Sequence, residues 1–294
     1  MGFYSIRLLS WFFFAAFNVS TAAAEVTVGV AVSIAPQKYF LEKIGGTHVS
    51  VTVLVPPGAD PHVFEPKPRQ LVALSHAKLY FGIGLPFERA WLPRIRAVNP
   101  DLIVVFTDEG IVKLPMREED EHHGGSRGGR GEGLDPHVWL SPPDVKIIAA
   151  SMRAALCAAD PAHRSAYDAG CRAFIAEIDS LDSELRTLFS SAGGHARFMV
   201  FHPAWGYFAE AYGLEQVPIE VEGREPAPAE LARLAGTAKT LRIPVIFVQP
   251  QKSARSAKAV ADAVGASIVT ADDLAENWTA NLRSVARRFH DALR

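Results

Sequence analysis

Ala196-Arg197-Phe198-Met199-Val200-Phe201-His202-Pro203 reads as a buried strand that stops on an imidazole. Its apolar run suits a parallel sheet covered on both faces. Pro203 cannot continue a ladder and stiffens the chain beside His202. Seven more runs share this character: Val26–Ser33, Val49–Val55, Leu79–Gly84, Leu102–Thr107, Leu214–Glu220, Val245–Gln249 and Ser267–Ala271. All are apolar or β-branched and bounded by Pro, Gly or Asp. Helical patterns fall between them, among others Pro36–Ile44, Lys67–Ser75, Pro228–Leu241 and Ala254–Val264. Strand and helix in alternation predict an α/β fold with parallel sheets. Four units in each half predict two similar lobes, while the strand order within each sheet stays open.

Between the halves, residues 161–192 read as one long linking helix. Phe174, Ile178, Leu181, Leu185 and Leu188 line a single face at helical spacing. Asp160 is the expected cap, Pro161 the first helical residue, and Gly193-Gly194 the stop. This divides the chain into an N-terminal lobe, 25–160, and a C-terminal lobe, 193–294. Within the first lobe, residues 117–133 combine Glu118-Glu119-Asp120-Glu121-His122-His123 with a glycine-rich run and read as a flexible, solvated loop.

Residues 1–24 read as a secretory signal peptide. Arg7 is followed by the apolar run Leu8–Phe17 and the small residues Ala22-Ala23-Ala24. The run falls short of the roughly 20 apolar residues of a membrane span, so cleavage near Ala24 and a periplasmic product are expected. The formal charge of −2 falls by one when Arg7 leaves, and gives no hold on nucleic acid or an anionic surface. Cys157 and Cys171 flank the Asp160-Pro161 turn. A tight helical hairpin there would set Cys157 opposite residue 163, about 12 Å along the helix from Cys171. Two free thiols are therefore expected.

Asp60-Pro61-His62, Asp135-Pro136-His137 and Phe201-His202-Pro203 each place a histidine next to a proline, at an element's end or a loop. Asp272 follows the last strand. Ligands of α/β sheets collect beyond the carboxyl ends of strands, so a cleft between the lobes would gather two candidates from each. Three neutral imidazoles and one carboxylate suit Zn²⁺, whereas Ca²⁺ or Mg²⁺ would want mostly oxygen. Glu65, Glu220 and Glu222 are candidates to accept the second ring N–H of a ligand. Protonation should compete with the metal near pH 6.5. His48, His76, His163, His195 and His290 lack these settings. Zinc hydrolysis is the rival chemistry, but no His-Glu-x-x-His, nucleophile elbow or phosphate loop accompanies the histidines.

Pro57-Gly58-Ala59-Asp60-Pro61-His62-Val63-Phe64-Glu65-Pro66 resembles the first metal-ligand motif of the cluster A-I periplasmic metal-binding proteins, the solute receptors of zinc and manganese ABC transporters. Asp135–Pro142, Phe201–Phe208 and Glu220–Pro226 are similar to further signatures of that family. The resemblance implies a receptor rather than an enzyme, with His62, His137, His202 and Asp272 as ligands. It implies Zn²⁺ as cargo, with Mn²⁺ or iron as the alternative, and a membrane permease of an ABC importer as partner to a monomer. A histidine at 202, where manganese receptors tend to carry glutamate, favours zinc. Asp273 stands where the family usually has proline, which leaves Asp273 or a water as the alternatives to Asp272 for the fourth place.

Overall fold

The computed structural model describes residues 27–116, 133–190, 196–220 and 224–294. The signal-peptide segment, the acidic His122-His123 stretch, Gly193-Gly194, His195 and Glu222 lie outside them.

All eight expected strands form, each trimmed at its ends. β1 (Val28–Val32), β2 (Val49–Val53), β3 (Leu79–Gly82) and β4 (Ile103–Phe106) pair in the order β2-β1-β3-β4. β5 (Ala196–Val200), β6 (Leu214–Pro218), β7 (Val245–Val248) and β8 (Ser267–Thr270) repeat that order as β6-β5-β7-β8. Every pairing is parallel, so the carboxyl ends of each sheet share one edge. In the second sheet the trimmed residues matter most. His202, Glu220 and Gln249 leave the ladder just after β5, β6 and β7 and gather at that edge.

The helices are α1 (Ala35–Gly45), α2 (Pro68–Leu74), α3 (Pro86–Val98), α4 (Pro142–Ala159), α5 (Arg164–Phe189), α6 (Gly206–Ala211), α7 (Pro228–Thr240), α8 (Arg255–Val264) and α9 (Trp278–Ala292). α1, α2, α3, α4 and α7 open on proline at a first-turn position, where its missing N–H costs nothing. α5 is the linking helix, and its 26 residues extend about 39 Å at 1.5 Å per residue. It packs on α1 and α4 of the first lobe and on α9 of the second. Gly170 permits the crossing with α1, because a Cβ there would lie 2.3 Å from the Ile44 carbonyl oxygen.

The helix begins differently from the sequence expectation. Pro161–His163 form a 3-10 turn, and the α-helix starts at Arg164. Asp160 therefore caps no backbone N–H. Its carboxylate accepts from His163 Nδ1 (2.6 Å) and the Tyr167 hydroxyl (2.7 Å) instead. Cys157 and Cys171 are buried and unbridged.

One apolar core runs through both lobes. It joins Phe40 and Phe174 to Trp278, and continues to Phe198, Trp205, Phe208, Phe247 and Phe289. A smaller core fills the other face of the second sheet, around Met199, Phe201, Ile246 and Val260. Phe289 is the hub of the larger one, with its ring centroid 4.3 Å from that of Phe198, 4.6 Å from Phe247 and 5.0 Å from Trp205. Truncation there leaves a cavity that three rigid rings cannot fill. Phe289→Ala should cost about 3–5 kcal/mol in urea unfolding, and a loss below about 1 kcal/mol would contradict this packing.

Candidate metal centre

The two Asp-Pro-His tripeptides fold into the same local device. In each, the aspartate Oδ1 accepts the histidine's own backbone N–H, at 2.9 Å for Asp60–His62 and 2.8 Å for Asp135–His137. This Asx-turn fixes the direction in which the imidazole leaves the chain. His202 is held otherwise. The Gln249 side chain accepts from its N–H (3.3 Å) and donates to its carbonyl (3.0 Å), continuing the β5–β7 pairing by one amide.

The three rings meet. His62 Nε2 lies 3.1 Å from His137 Nε2 and 3.1 Å from His202 Nε2, and the last two are 3.2 Å apart. His137 and His202 are buried and His62 is half-buried. The far nitrogens of two rings are already engaged. His137 Nδ1 donates to Asp135 Oδ1 (2.6 Å), and His202 Nδ1 donates to Glu220 Oε2. Both Nε2 atoms are thereby left as bare acceptors. A cation about 2.0–2.1 Å from each nitrogen would sit roughly 1 Å above the plane they define. That leaves a fourth corner on the axis.

Neighbouring groups lock this arrangement. Gly206 at the start of α6 lies against Asp135, where a Cβ would come within 2.9 Å of Oδ2. The Tyr207 hydroxyl accepts from Leu114 N (2.9 Å) and donates to the Asp135 carbonyl (2.8 Å). Trp139 Nε1 donates to the Asp273 carbonyl (2.7 Å), and Trp278 Nε1 donates to the Trp139 carbonyl (2.6 Å). A cleft of about 520 Å³ opens behind Asp135, between Leu114 and Gln216. The histidines do not line it. Two of them, His62 and His202, border a separate void of about 10 Å³ together with Lys252 and Asp273.

Residues 30–292 match the family model described as zinc-uptake complex component A, periplasmic. The chain belongs to this family. It is similar to the high-affinity zinc uptake system protein ZnuA of Bacillus subtilis, at 29% identity over 81% of this chain and 75% of that one. It resembles the manganese-binding lipoprotein MntA of Halalkalibacterium halodurans at 32% identity, over 71% of this chain and 66% of the relative. The iron-binding protein YfeA of Yersinia pestis is 30% identical, over 76% and 70%. A crystal structure of ZnuA superposes with a TM-score of 0.85 at 42% identity, covering 91% of this chain and 100% of that one. The family comprises metal-binding receptors of ABC transporters, which are transport proteins rather than enzymes. The hydrolase reading falls with that.

The two neighbouring carboxylates, Asp272 and Asp273, are held differently: Asp272 Oδ1 accepts from Gln251 Nε2 (2.9 Å) and Leu274 N (3.0 Å). Asp273 is the buried one of the pair. Asp273 is fully buried among the described residues, and its Oδ1 has no hydrogen-bond partner there. Burial pushes its carboxyl up to about 6, with the nearby His137 acting in the opposite sense. A buried carboxylate oxygen without a hydrogen-bond partner, on the border of the same small void as His62 and His202, is a group that a cation would satisfy. Glu220 takes the role expected of it, while Glu65 is exposed. Asp135, Gln249 and Lys252 were not singled out by sequence. Asp135 alone left a signal, as the first residue of its own motif.

Burial and the two neighbouring rings press His62 down to about 2, and burial holds His202 well below its usual value. The expected competition near pH 6.5 therefore moves to lower pH in the folded site. The stability consequence has a definite sign. Above pH 6.5 both rings are neutral folded or unfolded. Below it the unfolded chain takes up protons that the folded site refuses, so stability drops. The metal-free protein should lose up to about 1.4 kcal/mol per pH unit per histidine below pH 6.5, measured by urea unfolding. His62→Ala should flatten that slope. An unchanged slope would mean that His62 titrates freely in the fold.

Proposed function

We propose that this chain is an exported, periplasmic, monomeric receptor that captures Zn²⁺ and hands it to the membrane permease of an ABC importer. His62, His137 and His202 would each give Nε2 to the ion, and Asp273 would give its free Oδ1. The observation that carries this reading is the convergence of three Nε2 atoms within 3.1–3.2 Å of one another. The lone pairs of His137 and His202 Nε2 repel at that distance, and a divalent cation shared with His62 removes the repulsion. Nitrogen-rich donors favour zinc over manganese on the usual affinity order. A manganese or iron receptor is the second reading, supported by the relatives that carry those names at similar identity.

Calorimetric titration with zinc chloride, followed by competition with manganese chloride, tests the proposal. One zinc should bind per chain and resist displacement by manganese. His62→Ala and His202→Ala should each weaken binding at least tenfold while circular dichroism stays native. Asp273→Asn should weaken it by about tenfold, and Asp272→Asn by much less. Unchanged affinity in both histidine variants, or a larger loss from Asp272 than from Asp273, would refute the assignment.

A further inference from the structure

Asp60 and Asp135 open identical tripeptides but spend their second carboxylate function differently. Asp135 turns back onto its own histidine ring, with Oδ1 2.6 Å from His137 Nδ1. Asp60 Oδ2 instead faces Lys252 Nζ at 2.8 Å, on the loop after β7 in the other lobe. The same ammonium lies 3.3 Å from Glu220 Oε1, and the other oxygen of Glu220 accepts from His202 Nδ1. One lysine thus spans the carboxylate that orients His62 and the carboxylate that orients His202. All three side chains are largely buried, at 14%, 19% and 5% exposure for Lys252, Asp60 and Glu220.

The three histidine-bearing segments are anchored unequally. His137's turn is bonded to the C-terminal lobe by Tyr207, Trp139 and Trp278. His202 belongs to that lobe. The loop 56–66, which carries His62, has no regular structure. Among the described residues, its hydrogen bonds and ion pairs to the C-terminal lobe are the Asp60–Lys252 bridge and the meeting of the imidazoles themselves. Burial works to lower the Lys252 ammonium, but the two carboxylates hold it above its ordinary value, and it stays a cation. Without it, Asp60 and Glu220 would face each other across the lobes as like charges.

We propose that Lys252 is a positioning residue, an interlobe latch that holds the His62 loop against the other two histidines and so sets how fast the metal leaves. The inference rests on the receptor reading above. Lys252 touches no metal in this scheme. It acts through Asp60 on one side and Glu220 on the other. A bare repelling charge would do the reverse: its removal would speed metal entry and slow metal loss.

Dissociation of zinc into excess EDTA and association with zinc chloride, both by stopped flow on the whole protein, separate the two. In Lys252→Met the dissociation rate should rise tenfold or more, with the association rate changed less than threefold. Lys252→Arg, which keeps the cation, should restore at least half of the difference on a logarithmic scale. Asp60→Asn keeps the oxygen that accepts from His62 N and loses the ion pair. It should match Lys252→Met, and the double variant should add less than threefold. This variant also carries the test if Lys252→Met folds poorly. A dissociation rate within threefold of wild type, or slower, in folded Lys252→Met or Asp60→Asn overturns the latch. Wild-type protein that binds neither zinc nor manganese at one per chain overturns the receptor reading and the latch with it. Normal wild-type binding with unaltered variants removes the latch alone.

Discussion

Three imidazole nitrogens stand 3.1–3.2 Å from one another, and for at least two of them the proton that would relieve the contact is committed elsewhere. Asp135 and Glu220 hold Nδ1–H of His137 and His202, so those two Nε2 atoms are acceptors only. Water has little room to relieve the crowding, because His137 and His202 are buried and the void beside His62 and His202 holds about 10 Å³, the least that admits one molecule. A second protonation does not relieve it either, because burial and the neighbouring rings drive the charged form of His62 out of reach. An Nε2–H on His62 satisfies at most one of its two neighbours well, and what satisfies all three is a cation, or else the frame bears the repulsion. The frame supplies stiffness at each corner. Two Asx-turns beside prolines carry His62 and His137, and the Gln249 amide clasps the backbone of His202.

That frame is asymmetric although the two sheets share one strand order. Each strand of the second sheet delivers a polar group at its carboxyl end: His202 after β5, Glu220 after β6, Gln249 and Lys252 after β7, Asp273 after β8. The first lobe contributes loops instead. One of them, bearing His137, is bonded to the second lobe through the indoles of Trp139 and Trp278 and the phenol of Tyr207. Buried donors that would lose a partner on separation resist motion there. The cost of parting the lobes is therefore concentrated away from His62, whose loop meets the second lobe through an ion pair and a ring edge. α5, packed against α1, α4 and α9, braces the lobes along their backs and leaves the cleft edge as the place where small shifts can occur.

The fold was legible because parallel strands buried on both faces leave uninterrupted apolar runs, and proline, glycine and aspartate punctuate them. Strand order was not legible, since pairing partners lie far apart in sequence and no local signal names them. The histidines stood out by their prolines. Which member of the Asp272-Asp273 pair is the buried one was not legible, for a physical reason. Asp272 and Asp273 are chemically identical, and only tertiary partners, Gln251 and Leu274 N for one and the Trp139 indole for the next carbonyl, decide which side chain faces inward. Lys252 carried no signal at all, being an ordinary lysine in a loop. The helix start was misjudged because Asp160 found stronger partners in His163 and Tyr167 than a backbone N–H.

The geometry also bears on which ions such a site would refuse. On the receptor reading proposed above, three nitrogen donors would disfavour manganese against the later metals of its row without a steric barrier. Copper is the harder competitor, since it outbinds zinc at almost any set of nitrogen donors. Copper(II) prefers its donors near one plane. Here the three Nε2 atoms are too close together for a cation to lie among them in their own plane at a normal bond length of about 2.0 Å. An ion bound to all three would be held to one side of that plane, in a pyramid. Flattening that pyramid would require the rings to part, and His137 is held by its Asx-turn, its Asp135 partner and the neighbouring indole bonds. Selectivity against the stronger binder would thus reside in the stiffness of the frame rather than in the identity of the donors.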